Sequence, residues 1–240
     1  MSATKAYQKT EQRSVPLKGI GTKNESSLHR SLKFRYSDEA IEKPLGSYVC
    51  DGQSSDGEII EVQTGSFGPL KEKLNYFVQL SKVRIIHPII NEKLIELYDA
   101  EGRIIHRRKS PRKGSAWDLF KALIYAPELP LKKNIILELA VVDITEKRIA
   151  DGKGSWRRKG VRIADRSLSA CHRSIVLSKP DDYRQFIPFK KKEPFNVRDL
   201  GEKAGINTAL ARKTLYVLSK IGLVQRTGKC GRAYIYQLKK

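Results

Sequence analysis

Gly46-Ser47-Tyr48-Val49-Cys50-Asp51, then Ser54-Ser55-Asp56-Gly57, then Glu58-Ile59-Ile60-Glu61-Val62-Gln63 is the stretch on which the reading of this chain turns. Val49, Ile59, Ile60 and Val62 are β-branched and suit neighbouring strands. Ser54–Gly57 has turn chemistry, because Ser and Asp side chains bond nearby backbone and glycine accepts positive φ. The two runs therefore read as strands joined by a turn. Asp51 and Glu61 would converge at one end of that hairpin, where two carboxylates can hold a magnesium-type ion. The plain alternative is that short acids near turns cap backbone N–H groups.

Composition bounds the possibilities. The 240 residues carry 47 Lys and Arg against 26 Asp and Glu, a formal charge of +21. Such an excess favours a polyanion partner, with affinity supplied largely by counterion release. DNA is the expected partner, although charge alone does not distinguish it from RNA. No apolar run reaches the ~18 residues that read as a membrane span, so no membrane partner is expected. Met1–Lys23 lacks the apolar segment of a signal peptide. Cys50, Cys171 and Cys230 are isolated and odd in number, which disfavours a disulfide framework or a paired-cysteine zinc site. A reducing cytoplasm fits, with the protein on the nucleoid.

Residues 1–23 hold five basic residues and one acid with no hydrophobic period, and read as a flexible basic arm. Glu25–Tyr36 reads as a helix with Leu28 and Leu32 on one stripe and Asn24 as its cap. Gly65–Pro69 breaks the second strand and opens a helix carrying Leu70, Leu74, Phe77 and Val78. Val83–Ile90 and Leu94–Tyr98 read as strands, Ala116–Tyr125 as a helix capped by Ser115, Ile135–Val142 as a strand and Leu168–Leu177 as a helix. The expected fold is α/β, a mixed β-sheet core flanked by helices across residues 24–189. Lys190–Phe195 looks like a linker, and 196–240 a small second domain.

That last region is the sharpest. Asn196 can cap a helix over Val197–Ala204, and Gly205 can end it. Asn207 or Thr208 begins a second helix with Ala211, Leu215, Leu218 and Ile221 inward. A basic hairpin follows, turning through Thr227–Gly231. The order resembles a winged helix-turn-helix domain. Ten Lys or Arg against two acids give this region +8. The resemblance implies that Thr208, Arg212 and Lys213 approach DNA and that Lys229 and Arg232 contact phosphates. Such domains also serve as protein-docking modules.

Glu25 on a first helix, Asp51 at one strand and Glu61-x-Gln63 on the next resemble the PD-(D/E)XK nuclease superfamily, closest to its Holliday-junction-resolvase-like branch. Phrases such as Glu61–Phe67, His87-Pro88-Ile89 and Arg107–Gly114 are also similar to an uncharacterised bacterial family that joins such a domain to a carboxy-terminal winged helix. The resemblance implies a nuclease-like core in which Asp51 and Glu61 hold Mg²⁺ or Mn²⁺ with the Val62 carbonyl, while Glu25 binds a second ion or reaches the first through water. It also implies a lysine where this chain has Gln63, which can hydrogen-bond water but carries no charge. Lys71 or Lys73, on the following helix, would then be the substitute. Glu42 is a further acid nearby.

Two basic segments remain. Arg107, Arg108, Lys109, Arg112 and Lys113 lie in an extended loop suited to a phosphate backbone. Trp156-Arg157-Arg158-Lys159 offers a basic surface with a ring that can stack on bases, though a tryptophan is more often a core residue. The expectation is a DNA-binding, metal-dependent endodeoxyribonuclease, with a non-catalytic DNA-binding regulator or architectural protein as its rival. A symmetrical junction substrate would suit a homodimer.

Overall fold

Successive residues of Ile59-Ile60-Glu61-Val62 point to opposite faces of a sheet, and each face has its own helical cover. The structure, a computed structural model, describes residues 25–38 and 42–239. The expected basic arm and the Asn24 cap lie outside the described residues. Helix α1 (Ser27–Tyr36) is followed by β1 (Lys43–Leu45), β2 (Tyr48–Cys50), β3 (Gly52–Gln53) and β4 (Ile59–Val62). Helix α2 (Lys71–Leu80) leads to β5 (Val83–Tyr98) and β6 (Ile104–Lys109). Then come α3 (Leu119–Leu123), β7 (Ile135–Ala150) and β8 (Val161–Leu177). The chain ends with α4 (Val197–Ala204), α5 (Thr208–Lys220), β9 (Val224–Cys230) and β10 (Ala233–Leu238).

The central sheet is mixed, in the order β3-β4-β5-β7-β8, with β6 added along the second half of β5. β4–β5 and β5–β7 are parallel, and the other pairings are antiparallel. On one face Leu28 and Leu32 of α1 pack against Ile60, Val62, Ile86, Ala140 and Val142. On the other, Ile59, Ile85 and Leu139 meet Phe67, Leu74 and Phe77 around α2 and Phe120 and Leu123 of α3. Each buried Val, Leu, Ile or Phe among them stabilises by about 1.5–3 kcal/mol, so a two-sided core follows from the strand alternation. The α/β expectation holds as a mixed sheet flanked by helices.

The opening hairpin is built differently from its expected form. β2 turns back onto β1, pairing Leu45 with Tyr48 and Lys43 with Cys50. Only Gly52 and Gln53 pair with β4, opposite Ile60 and Ile59. Gly46, at φ 61°, makes the first reversal possible. Asp51 therefore sits at the junction of two short strands.

Leu168–Leu177 is strand, not helix, and forms the end of β8 along β7. Register shifts at Ala140/Val142 and Asp143/Ile144 interrupt the two-residue alternation, which hides the strand period in sequence. Val83–Ile90 and Leu94–Tyr98 are one strand. Ile86 O accepts from Gln63 N where β4 ends; Pro88 comes two residues later on the same edge, where its missing donor has no partner to lose.

Asn196 caps α4 by accepting from Arg198 N and Asp199 N, and Gly205 closes it at φ 64°. Asn207 caps α5 by accepting from Leu210 N. The hairpin β9–β10 reverses at Gly231-Arg232, so Thr227–Lys229 are strand residues rather than turn. Phe195, at the end of the expected linker, is buried, stacks on Phe189 at 3.9 Å and pairs with Tyr236. Leu210, Leu215 and Leu218 of α5 belong to the same apolar cluster as α2 and α3.

Candidate active site

At the β3–β4 edge of the sheet, α1 comes from one face and α2 from the other. Their polar side chains meet the two strand acids there. Glu61 is the inward polar residue of β4, with 2% of its side chain exposed. Asp51 follows β2, and its backbone N donates to Glu61 Oε1 at 3.3 Å. Asp51 Oδ2 in turn accepts from Val62 N at 2.8 Å. The Glu61 carboxylate is thereby tied to the main chain of Asp51, and the Asp51 carboxylate to that of Val62.

Helix α1 contributes Glu25, just before its first turn, and His29 and Lys33 at successive four-residue spacings along one face. His29 Nε2 lies 3.2 Å from Asp51 Oδ2. Lys33 Nζ lies 3.2 Å from Glu25, 2.9 Å from Glu42 and 3.6 Å from Asp51 Oδ1. Only 6% of the Lys33 side chain is exposed, and a cation so buried needs these carboxylates. Burial works to lower its pKa, but the hydrogen bond to Glu42 and the charges of Asp51 and Glu25 raise it above the ordinary lysine value. Glu25 Oε1 is buried without a hydrogen bond of proper geometry.

From α2, Lys73 Nζ reaches Glu61 Oε2 at 2.7 Å. Lys71, two residues earlier and so on another side of the helix, is exposed. Burial, with the Asp51 charge beside it, pushes the Glu61 carboxyl up to about 7 despite Lys73. Burial also works to raise Asp51, but the hydrogen bonds from His29 and Val62 N prevail and hold it below the usual value. Two neighbouring carboxyls with pKa values driven apart occur at sites that handle protons or cations and also in structural ion-pair networks.

Gln63 is not brought to this cluster by its side chain. Its amide donates to Ser66 O, while its carbonyl accepts from His87 Nδ1 at 2.6 Å. Burial depresses the His87 pKa, consistent with a neutral ring fixing the end of β4.

Asp51 and Glu61 are the carboxylates here that could hold a divalent cation of the magnesium type, since such ions are commonly bound through one or two carboxylates. They do not form a dedicated cage. Among the described residues no three His, Cys, Asp or Glu side chains are grouped to hold a metal, and Lys33 and Lys73 engage the carboxylates.

Of the expected basic contacts, Arg107, Arg108 and Lys109 lie on β6 rather than in a loop. β6 finds its ladder partners along the outer half of β5, and this overrides the basic, loop-like composition. Arg107 pairs with Glu96 at 2.9 Å, and Lys109 and Lys113 with Glu92 at 3.2 and 3.5 Å. Arg108 and Arg112 are exposed. Thr208 opens α5, Arg212 projects from it and Lys213 is half-buried. Lys229 and Arg232 are exposed on the hairpin. His29 and Lys33 were missed in sequence, although their spacing from Glu25 was there to be read.

Residues 26–178 match the family described as "Domain of unknown function (DUF8091)". An "Uncharacterized protein" of Treponema pallidum (strain Nichols) is 28% identical over 221 residues, spanning 91% of this chain and 87% of that protein. No solved structure matches the chain. Among the described residues no helix is long and apolar enough to cross a membrane.

Proposed function

The chain belongs to the DUF8091 family, and from that premise we propose that it is a DNA-binding, metal-dependent nuclease resembling the PD-(D/E)XK superfamily and targeted by a C-terminal winged helix. The observation that carries the reading is the Lys73–Glu61 pair at 2.7 Å. It supplies, from α2, the cation that position 63 lacks.

Asp51 and Glu61 are the residues that would hold Mg²⁺ or Mn²⁺. Such an ion, when bound, supplies Lewis-acid stabilisation of charge developing on a phosphate. Lys73 carries a proton donor to the same place, suited to orienting a water for attack. His29 orients Asp51 and keeps it ionised. Lys33 balances Glu25 and Glu42, so that like charges can collect at the edge of the sheet. The +21 charge and the exposed Arg212, Lys229 and Arg232 support a nucleic-acid partner by counterion release.

A second reading, a non-catalytic DNA-binding protein on a degenerate nuclease fold, is favoured by one observation. Lys33 already sits between Glu25 and Asp51, where a covalently held cation opposes a free one. The two readings part in a cleavage assay on plasmid, linear and branched DNA with Mg²⁺ or Mn²⁺. Metal-dependent cleavage lost in both Asp51→Ala and Glu61→Ala supports the nuclease. Salt-sensitive binding without cleavage on every substrate supports the rival.

A further inference from the structure

Trp156 is the most exposed large apolar side chain among the described residues, at 83%. It stands at the tip of the hairpin formed by β7 and β8, which stay paired out to Ala150 and Val161. The tip is tightly bonded. Gly154 N donates to Gly160 O at 2.8 Å, Arg158 N to Ser155 O at 2.9 Å and Lys159 N to Trp156 O at 3.0 Å. A Cβ at Gly154 would lie 2.1 Å from Val161 O, so the loop closes on a glycine that no other residue can replace in this conformation. The backbone is organised to present an indole that it does not bury.

Charge identifies the partner. Lys153, Arg157, Arg158 and Lys159 against Asp151 give residues 151–160 a net +3, and Asp151 is already paired with Arg162 at 2.6 Å. The Arg157 guanidinium lies 5.6 Å from the indole centroid, widening the stacking surface. A lipid surface rewards buried apolar area, and this tip offers one ring. A nucleic acid rewards one ring among cations, because each unstacked base has a π-face and each phosphate a charge.

We infer that Trp156 is a base-stacking contact, taking an unpaired or terminal nucleobase while Arg157, Arg158 and Lys159 hold the flanking phosphates. The inference rests on the nucleic-acid partner proposed above and not on hydrolysis. Ser27 N, beside Glu25, donates to Asp165 Oδ1 at 3.0 Å. From Asp165, β8 runs four residues to Val161, about 13 Å at ~3.3 Å per residue. The strand that carries the tip thus also touches the start of α1, just after Glu25.

The test uses the full chain in EDTA, which removes catalysis from the measurement. In a Trp117→Phe background Trp156 is the sole tryptophan. Its fluorescence should be quenched by a single-stranded or forked oligonucleotide and not by phosphatidylserine vesicles. Trp156→Ala should keep the wild-type melting temperature, weaken oligonucleotide binding at least about fivefold, and leave its salt slope unchanged. Trp156→Phe should recover most of the affinity. Unchanged affinity in Trp156→Ala, with binding still sensitive to Arg212→Ala, would overturn the stacking role while sparing the nucleic-acid reading. A fluorescence response to vesicles alone would also overturn the stacking role, and no oligonucleotide binding by the wild type would overturn both.

Discussion

Lys73 Nζ, on α2, lies 2.7 Å from Glu61 Oε2, on β4. The relationship gives the acidic edge a cation from a helix, whereas the Gln63 amide is committed to Ser66 O. Position along the chain and position in the site thus differ for the charge on which the proposed chemistry depends.

Lys73→Ala should lower DNA cleavage by about 10²–10³-fold, the cost typical of deleting one preorganised donor at a reacting centre. Lys71→Ala should change it by less than about twofold, because Lys71 faces solvent. Single-turnover rates on a common substrate check the pair; equal losses would remove Lys73 from its role.

Glu61 predicts a pH dependence whose sign is opposite to that of an ordinary ion-paired acid. Its folded pKa of about 7 stands above the ordinary 4.5, so between these values the folded state binds the proton more tightly than the unfolded chain. Stability from this group is complete below about pH 4.5 and falls as pH rises through 7, by at most roughly 3 kcal/mol. A divalent cation bound at Glu61 as proposed would compete with that proton. The rise in melting temperature on adding Mg²⁺ should therefore be small at pH 5.5 and larger at pH 8. Glu61→Gln should flatten both trends.

Glu146 behaves the other way. It is buried, with Arg148, Arg166 and Lys93 around it. Burial tends to raise its pKa, but the two arginine hydrogen bonds and the Lys93 charge bring it below the ordinary value. Its contribution is present above about pH 4.5 and is lost as pH falls through the lower folded pKa. Glu146→Gln should destabilise by about 2 kcal/mol at pH 7, a buried-pair cost discounted because the arginines are 24% and 44% exposed. Denaturant melts should show the difference shrinking below pH 4; a constant difference would contradict it.

Leu32, fully buried under α1, ties Glu25, His29 and Lys33 to the sheet. Leu32→Ala should cost about 2–5 kcal/mol in unfolding free energy. A cost below about 1 kcal/mol would mean that α1 is not held by this contact.

Local chemistry was legible where it acts locally. The Asn196 cap, the Gly205 stop and the Ser54–Gly57 turn all occur as read; of the two lysines offered for the charge missing at Gln63, Lys73 is the one that reaches Glu61. Longer-range choices were not legible. Nothing in Tyr48–Cys50 says that it will pair with Lys43–Leu45 instead of Glu58–Gln63, because strand propensity does not name a partner. The β8 bulges erase its period, and Gln63 goes to Ser66 because the chain leaves β4 just before it. In sequence Trp156 is open between a core residue and a surface ring, and only the two strands that run on to the tip decide for the surface.

Whether Asp51 and Glu61 hold a divalent cation beside Lys73, as proposed, is decided by titrating the protein with Mn²⁺, followed by calorimetry or electron paramagnetic resonance. Saturable binding is expected at pH 8, lost in both Asp51→Asn and Glu61→Gln and retained in Lys71→Ala. No binding by the wild type, or binding that survives both substitutions, would contradict the proposal.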